Sequence, residues 1–139
     1  MAVARPQIQQ AGVEARLEVA PGAAIVLADR QLLKQAILNL VLNACEVMEA
    51  QAGGQPKKLT LNLKRNEQMA ELRVADTGPG ISPENRRKIF QLFFTTRTGG
   101  SGIGLATTFR IVQMHNGSID FETEIGRGTT FRIELPLAH

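Results

Sequence analysis

Residues 59–81 read LTLNLKRNEQMAELRVADTGPGI, and the fold turns on this stretch. Leu59, Leu61 and Leu63 alternate with Thr60, Asn62 and Lys64, the two-residue period of a strand with one face buried. NEQ makes a turn, and Ala70 to Asp76 returns as a second strand with Ala70, Leu72 and Val74 facing inward. Asp76 keeps that parity, so an acid points to the apolar side just before Thr77-Gly78-Pro79-Gly80-Ile81. A buried carboxylate needs partners. Two readings stay open: an aspartate that starts a turn by bonding its own backbone, or one kept for a ligand.

Toward the N-terminus, Val13, Ala15, Leu17 and Val19 alternate as a strand that Pro21-Gly22 ends, and Ala24 to Ala28 reads as a second, short one. Residues 1–12 carry Gln, Pro and Gly without a period and read as a linker, which leaves residues 13–139 as one domain. Asp29 stands where a helix N-cap belongs. Behind it, from about Arg30 to Ala50, Leu32, Leu33, Ala36, Ile37, Leu40, Val41, Ala44 and Met48 form one apolar stripe. Gln35, Asn39, Asn43 and Glu46 fall in a narrow polar column beside it. Asn39 and Asn43 are either satisfied amides on a half-buried flank or a polar notch that faces a ligand.

Toward the C-terminus, Ser82-Pro83-Glu84 should start a short helix that runs to about Phe93. The run TTRTGGSGIGL follows and opens a last helix at Gly104–Leu105, which Asn116-Gly117 should cap. Two strands close the chain, with Ile119, Phe121 and Thr123 inward on the first and Thr129, Phe131, Ile133 and Leu135 inward on the second; GRG at 126–128 joins them. Hairpins in one layer and helices in the other make an α+β fold, a two-layer α/β sandwich, and exclude a doubly wound sheet.

The composition agrees. The 139 residues hold 43% apolar and 21% charged side chains, which excludes wholesale disorder. One cysteine makes no internal bridge and points to a reducing, cytoplasmic setting. No apolar run approaches the roughly 18 residues a membrane span needs. A net charge of +3 is too small to argue for nucleic acid.

The glycine loop that feeds the last helix offers free N–H groups and the positive end of a dipole, which suits phosphate. It is no Walker A loop, because Leu105-Ala106 stands where Lys-Ser/Thr is needed. It is no dinucleotide fingerprint either, because it follows a Phe-rich helix instead of a strand.

Taken together, NLVLNA (39–44), DTGPGI (76–81), FQLFFTTR (90–97), GSGIGLA (100–106) and GRGTTFRIELP (126–136) resemble, in order, the N box, first glycine box, F box and second glycine box of the ATP-binding catalytic domain of bacterial sensor histidine kinases, with its closing strand. The resemblance covers residues 12–137, and its short FFTTR segment is most similar to the nitrogen-regulation and dicarboxylate-sensing kinases. It implies the Bergerat ATP-binding fold, shared with gyrase-type, heat-shock chaperone and mismatch-repair ATPases: a mixed, mostly antiparallel sheet with three helices on one face. It also implies ATP and Mg2+ as ligands. Asp76 would accept from the adenine amine, with Thr129 assisting through water, and Gly78, Gly80 and Ile81 would wall the base pocket. Asn43 would bind magnesium, and Asn39 would assist near the phosphates. Gly100, Ser101, Gly102, Gly104 and Leu105 would hold the phosphates, Arg97 would neutralise the γ-phosphate, and Phe93 and Phe94 would anchor the segment between.

Two departures matter. Where the chaperones carry a water-activating glutamate, this chain has Asn39, which cannot act as a base. That favours phosphoryl transfer over hydrolysis, and it counts against an anti-sigma-type serine kinase; the retained Asn43 and Asp76 count against a silent docking module. Glu46-Val47 replaces the Lys-Tyr/Phe pair frequent in the kinases. The resemblance further implies a separate dimerisation domain bearing the phosphoacceptor histidine, a response regulator as partner, and no membrane contact by this domain. His115 and His139 are followed by no acid, so His115 reads as structural and the chain as the ATP-holding part of a longer histidine kinase.

Overall fold

The computed structural model describes residues 5–21, 26, 28–49, 51, 55–91 and 103–137. Their order is α1 (Arg5–Ala11), β1 (Glu14–Val19), α2 (Arg30–Glu49), β2 (Lys58–Arg65), β3 (Met69–Asp76), α3 (Gly104–Met114), β4 (Ser118–Glu124) and β5 (Gly128–Pro136). One sheet holds all five strands in the order β1-β2-β3-β5-β4. The β1–β2 pair is parallel and the other three pairs are antiparallel, as the resemblance implied.

The central hairpin forms where its alternation places it. Asn66 Oδ1 accepts from the Gln68 and Met69 N–H groups and closes the β2–β3 turn. Leu59, Leu61, Ala70, Val74 and Asp76 are buried on one face, where Phe131, Ile133 and Leu135 of β5 join them. Ala36, Leu40, Val41, Ala44, Cys45 and Met48 of α2 pack onto that face, so the core is the expected stripe against the expected strands. Asp29 caps α2: its carboxylate accepts from the Leu32 N–H at 3.1 Å. The opposite face of the sheet is charged, with Glu71 between Lys64 and Arg73 and with Arg132 paired to Asp120.

Both ends of α3 are informative. At the C-terminal end Asn116 takes φ 60°, while Asn116 N–H bonds Gln113 O and Gly117 N–H bonds Val112 O, the Schellman pattern. His115 then ties the two long helices together. Its Nδ1 lies 2.7 Å from Ile111 O, and its Nε2 accepts the Asp29 N–H at 3.0 Å, which fixes the neutral tautomer with hydrogen on Nδ1 and bears out a structural role.

Three local expectations differ. Of the three helices foreseen, those at 30–50 and 104 onward form, but residues 83–90 are successive turns. Asn85, Lys88 and Gln91 N–H groups each bond the carbonyl three residues back, and the Ser82 hydroxyl that should cap a helix is buried without a hydrogen bond. Residues 5–11, within the stretch read as a linker, are helical. Ile8 and Ala11 are buried in the core, and Gly12 at φ 69° ends the helix with Gly12 N–H on Gln9 O and Val13 N–H on Ile8 O. Seven residues are too few to display a period. In β1 only the parity, not the burial, holds: Leu17 and Val19 are 57% and 59% exposed because this strand lies at the sheet edge. The strand expected at 24–28 falls mostly outside the described residues. None of the described helices is long and apolar enough to cross a membrane.

Candidate functional site

Antiparallel register sets Asp76, the last residue of β3, directly across from Thr129 near the start of β5. Asp76 is 8% exposed and Thr129 is 5% exposed. One carboxylate oxygen, Oδ1, accepts from the Gly78 N–H at 2.9 Å and from the Thr129 N–H at 3.3 Å. Burial pushes the Asp76 carboxyl above its ordinary range, and those two N–H groups pull back against the rise. The second oxygen takes no hydrogen bond from the described residues. The turn-starting reading therefore holds for Oδ1, and the second oxygen is the one a ligand could use.

The loop after Asp76 is strapped to the β4–β5 hairpin. Ile81 N–H bonds Thr123 Oγ1 at 2.9 Å, and Gly126 N–H bonds Pro79 O at 2.9 Å. Two glycines are required by geometry. A Cβ on Gly80, at φ +82°, would lie 2.6 Å from Glu124 O, and one on Gly128, at φ +131°, would lie 2.0 Å from Asp76 O. Thr123 and Thr129 face each other across the hairpin with their hydroxyl oxygens 2.9 Å apart.

The other end lies at α3. Ile103 gives this helix no side-chain cap hydrogen bond. The Gly104 carbonyl accepts from Asn39 Nδ2 at 3.2 Å and from the buried Thr108 hydroxyl at 3.0 Å; that hydroxyl also lies 3.3 Å from Ala36 O. Asn39, expected beside the phosphates, thus has its amide hydrogen on the protein, holding α3 to α2. A Cβ on Gly104 would make only ordinary contacts, at 3.8 Å with Asn39. Leu105 and Ile81 are half-buried and pack on the core.

The α2 column joins the two ends. Asn39, Asn43 and Val47 stand four residues apart on one row. Asn39 meets Gly104, while a Cβ on Gly78 would lie 3.2 Å from Val47 and 3.0 Å from Asp76 Oδ1. Half-buried Asn43 sits between, on a row that spans about 12 Å, the scale of a nucleotide. Among the described residues no group of three His, Cys, Asp or Glu side chains could hold a metal ion. A single amide oxygen suits magnesium only when phosphate oxygens and water complete its shell. The donor set therefore fits an ion that arrives with a nucleotide.

Arg97, Gly100, Ser101 and Gly102, with Phe93, Phe94 and His139, lie outside the described residues. The aromatic anchor that is described is Phe90, which stacks on Phe109 at 5.3 Å and meets Phe121 and Phe131 edge-on. Sequence reasoning passed over Thr108 and gave Thr123 no role. The hairpin turn would have found the latter, since Thr123 and Thr129 are equidistant from Gly126.

Comparisons with known proteins agree with this geometry. Residues 28–139 match the family described as histidine kinase-, DNA gyrase B-, and HSP90-like ATPase. The sensor protein FixL of Bradyrhizobium diazoefficiens is 37% identical over 94% of this chain, which spans 25% of that protein. Among solved structures, the catalytic domain of histidine kinase ThkA is 31% identical with a TM-score of 0.81, over 98% of this chain and 88% of that one. ThkA has also been solved in complex with the response regulator TrrA, at 28% identity and a TM-score of 0.76 over 99% of this chain and 38% of that one. Full-length ShkA in complex with AMPPNP is 31% identical with a TM-score of 0.83, over 99% of this chain and 28% of that one. By sequence and by fold, this chain belongs to the histidine kinase-, DNA gyrase B- and HSP90-like ATPases, as an ATP-binding catalytic domain of the sensor-histidine-kinase kind.

Proposed function

We propose that this domain holds ATP with magnesium and presents the γ-phosphoryl group to a histidine on a separate dimerisation domain of its full-length protein, for onward passage to a response regulator. The observation that carries the reading is Asp76, a buried carboxylate with one oxygen fixed by two backbone N–H groups and the other taking no hydrogen bond from the described residues. Such an oxygen accepts the adenine amine, and Thr129 beside it assists through water. Gly78, Gly80 and Ile81 form the wall, which the bonds of Ile81 and Pro79 to the β4–β5 hairpin keep in place. The response-regulator partner is supported by the ThkA complex, and the nucleotide by the ShkA complex.

At the phosphate end, the N-terminal N–H groups of α3 receive negative charge, together with Gly100, Ser101 and Gly102, and Arg97 neutralises the γ-phosphate. Asn43 contributes its amide oxygen to magnesium, which when bound neutralises phosphate charge. Asn39 provides no general base, so water is not activated here and the phosphoryl group is kept for the acceptor histidine. Calorimetric titration of ATP, with and without magnesium, tests the reading. Asn43→Ala should leave ATP binding but remove its response to magnesium. A response that persists would put the metal elsewhere, and a folded chain that binds no ATP would overturn the proposal.

A further inference from the structure

β1 has the alternation of a half-buried strand, yet each residue from Glu14 to Val19 is exposed. Among the described residues no strand lies beyond it. Its main-chain groups are only half used. The Glu14 N–H bonds Lys57 O at 2.8 Å and the Ala20 N–H bonds Leu63 O at 2.9 Å, so the even-numbered residues direct their main-chain groups at β2. Ala15, Leu17 and Val19 therefore direct theirs outward, a template for another strand. The side chains are sorted as well. Ala15, Leu17 and Val19 share the helix-side face with Leu59, Leu61 and Leu63, whereas Glu14, Arg16 and Glu18 share the charged face with Lys58, Thr60 and Asn62.

We infer that β1 is an interaction edge for a second copy of this chain: the two β1 strands pair antiparallel about a two-fold axis that sets Leu17 against the partner's Leu17, and the two sheets become one. The charges choose this register. In it Arg16 faces the partner's Glu18 and Glu18 faces the partner's Arg16, while Ala15 meets the partner's Val19 on the apolar side. Slid one way, the pairing sets Arg16 against the partner's Arg16; slid the other way, it sets Glu18 against the partner's Glu18. Ala15, Leu17 and Val19 supply about six main-chain bonds across the seam, and Arg16 and Glu18 fall at the positions between, where opposed side chains come closest. Glu18 now holds Asn62 Nδ2 at 3.3 Å and makes only a loose, exposed contact of 3.8 Å with Arg16 of its own strand, which a cross-strand pair replaces at little cost. The opposite edge has no such option. Asp120, Glu122 and Glu124 share one face of β4, and any antiparallel self-pairing there sets acid against acid. A seam this short buries less than a standard interface, so the dimer is weak, with a dissociation constant on the order of 100 μM. Asp76 lies two strands in from the seam, so pairing leaves the nucleotide pocket open.

Sedimentation equilibrium of the whole chain, from about 10 μM to about 1 mM, tests the inference and should show a monomer–dimer equilibrium. Arg16→Glu opposes acids at both cross-strand positions, and Glu18→Arg opposes bases. Each should weaken the dimer by about tenfold or more, and the double exchange should restore it. Leu17→Cys places two thiols across the axis with Cα atoms about 5.5 Å apart, within reach of a disulfide, and should oxidise to a covalent dimer. Val19→Cys is as exposed but faces the partner's Ala15, and should not; the native Cys45 is buried and stays out of the reaction. A chain that is monomeric throughout, or a dimer indifferent to Arg16→Glu, would overturn the inference. So would single variants that the double exchange fails to rescue, or equal cross-linking of Leu17→Cys and Val19→Cys. ATP affinity should be the same in all these variants, so the seam and the nucleotide reading stand or fall separately.

Discussion

The floor around Asp76 and the junction around Gly104 are built by opposite means. At the floor, β3 and β5 are adjacent strands, three hydrogen bonds strap the 76–81 loop to the hairpin, and two glycines lie where a Cβ would strike backbone. At the junction, two helices meet through one amide and one shared hydroxyl hydrogen, and the glycine there has room to spare. The first region is shaped by the fold's own packing. The second keeps a small residue that packing alone does not demand, and the proposed function assigns that space to the phosphates. Glycine therefore means different things at the two ends.

Paired substitutions break that comparison most directly. Gly128→Ala sets a Cβ 2.0 Å from the Asp76 carbonyl at φ +131°, where neither backbone can yield cheaply. It should cost about 3 kcal/mol or more, read from urea unfolding, and abolish nucleotide binding with the fold. Gly104→Ala should leave stability unchanged or raise it by up to about 1 kcal/mol, because alanine is the better helix former. Its nucleotide affinity should nonetheless fall, by about tenfold. If Gly104→Ala binds ATP as tightly as the unaltered chain, the phosphates do not approach that backbone and the contrast between the two glycines disappears.

The next largest effect separates binding from stability within the floor itself. Burial raises the Asp76 carboxyl, so the folded state holds that proton more tightly than the unfolded chain. The associated stability is present in full below the unfolded-state value and is lost as pH rises through the folded one. At neutral pH the ionised carboxylate is therefore a burden on the empty fold. Asp76→Asn keeps an oxygen for the Gly78 and Thr129 N–H groups and removes the charge. It should weaken ATP binding by about 100-fold, since a charged acceptor of the base amine is lost. The same variant should melt higher at neutral pH, by roughly 2–4 °C per kcal/mol relieved, and lose the decline of melting temperature with rising pH. A lower melting temperature with intact binding would reverse both assignments.

How far the sequence could be read follows the same division. Asp76 was legible because strand parity is strict and an acid on the apolar side stands out. Thr129 was legible for the same reason, but the β3–β5 register that brings the two together is a non-local pairing; the turn at 126–128 sets only Thr123 against Thr129. Asn39 stood out as a polar residue on an apolar helix, but its partner is a carbonyl 65 residues away, and no local period encodes that contact. The 83–90 turns were misread because Ser-Pro-Glu is a start signal, whereas helix formation also needs a satisfied cap and several consecutive i→i−4 bonds. Leu17 and Val19 show the limit of alternation: it states which side chains share a face, not whether anything covers the edge.

The smallest expected effect sharpens the junction. Gly104 O already has the intrahelical bond that α3 supplies from the Thr108 N–H, so Asn39 Nδ2 and Thr108 Oγ1 add further donors to a satisfied carbonyl. Losing either donor strands no buried acceptor. Thr108→Val, close in shape, should cost about 0.5–1 kcal/mol of stability, and Asn39→Ala about 1 kcal/mol. If the two act independently their effects add; if together they hold the first turn of α3 in place, the double variant departs from the sum. That departure should appear in ATP affinity more than in unfolding, because the first turn of α3 is the part proposed to meet the phosphates, whereas the Ile111 and Val112 packing that secures the helix lies further along it. Coupling in unfolding alone would make the pair a packing device. Coupling in affinity would make Asn39 a residue that serves the phosphates through the helix it holds, without touching them.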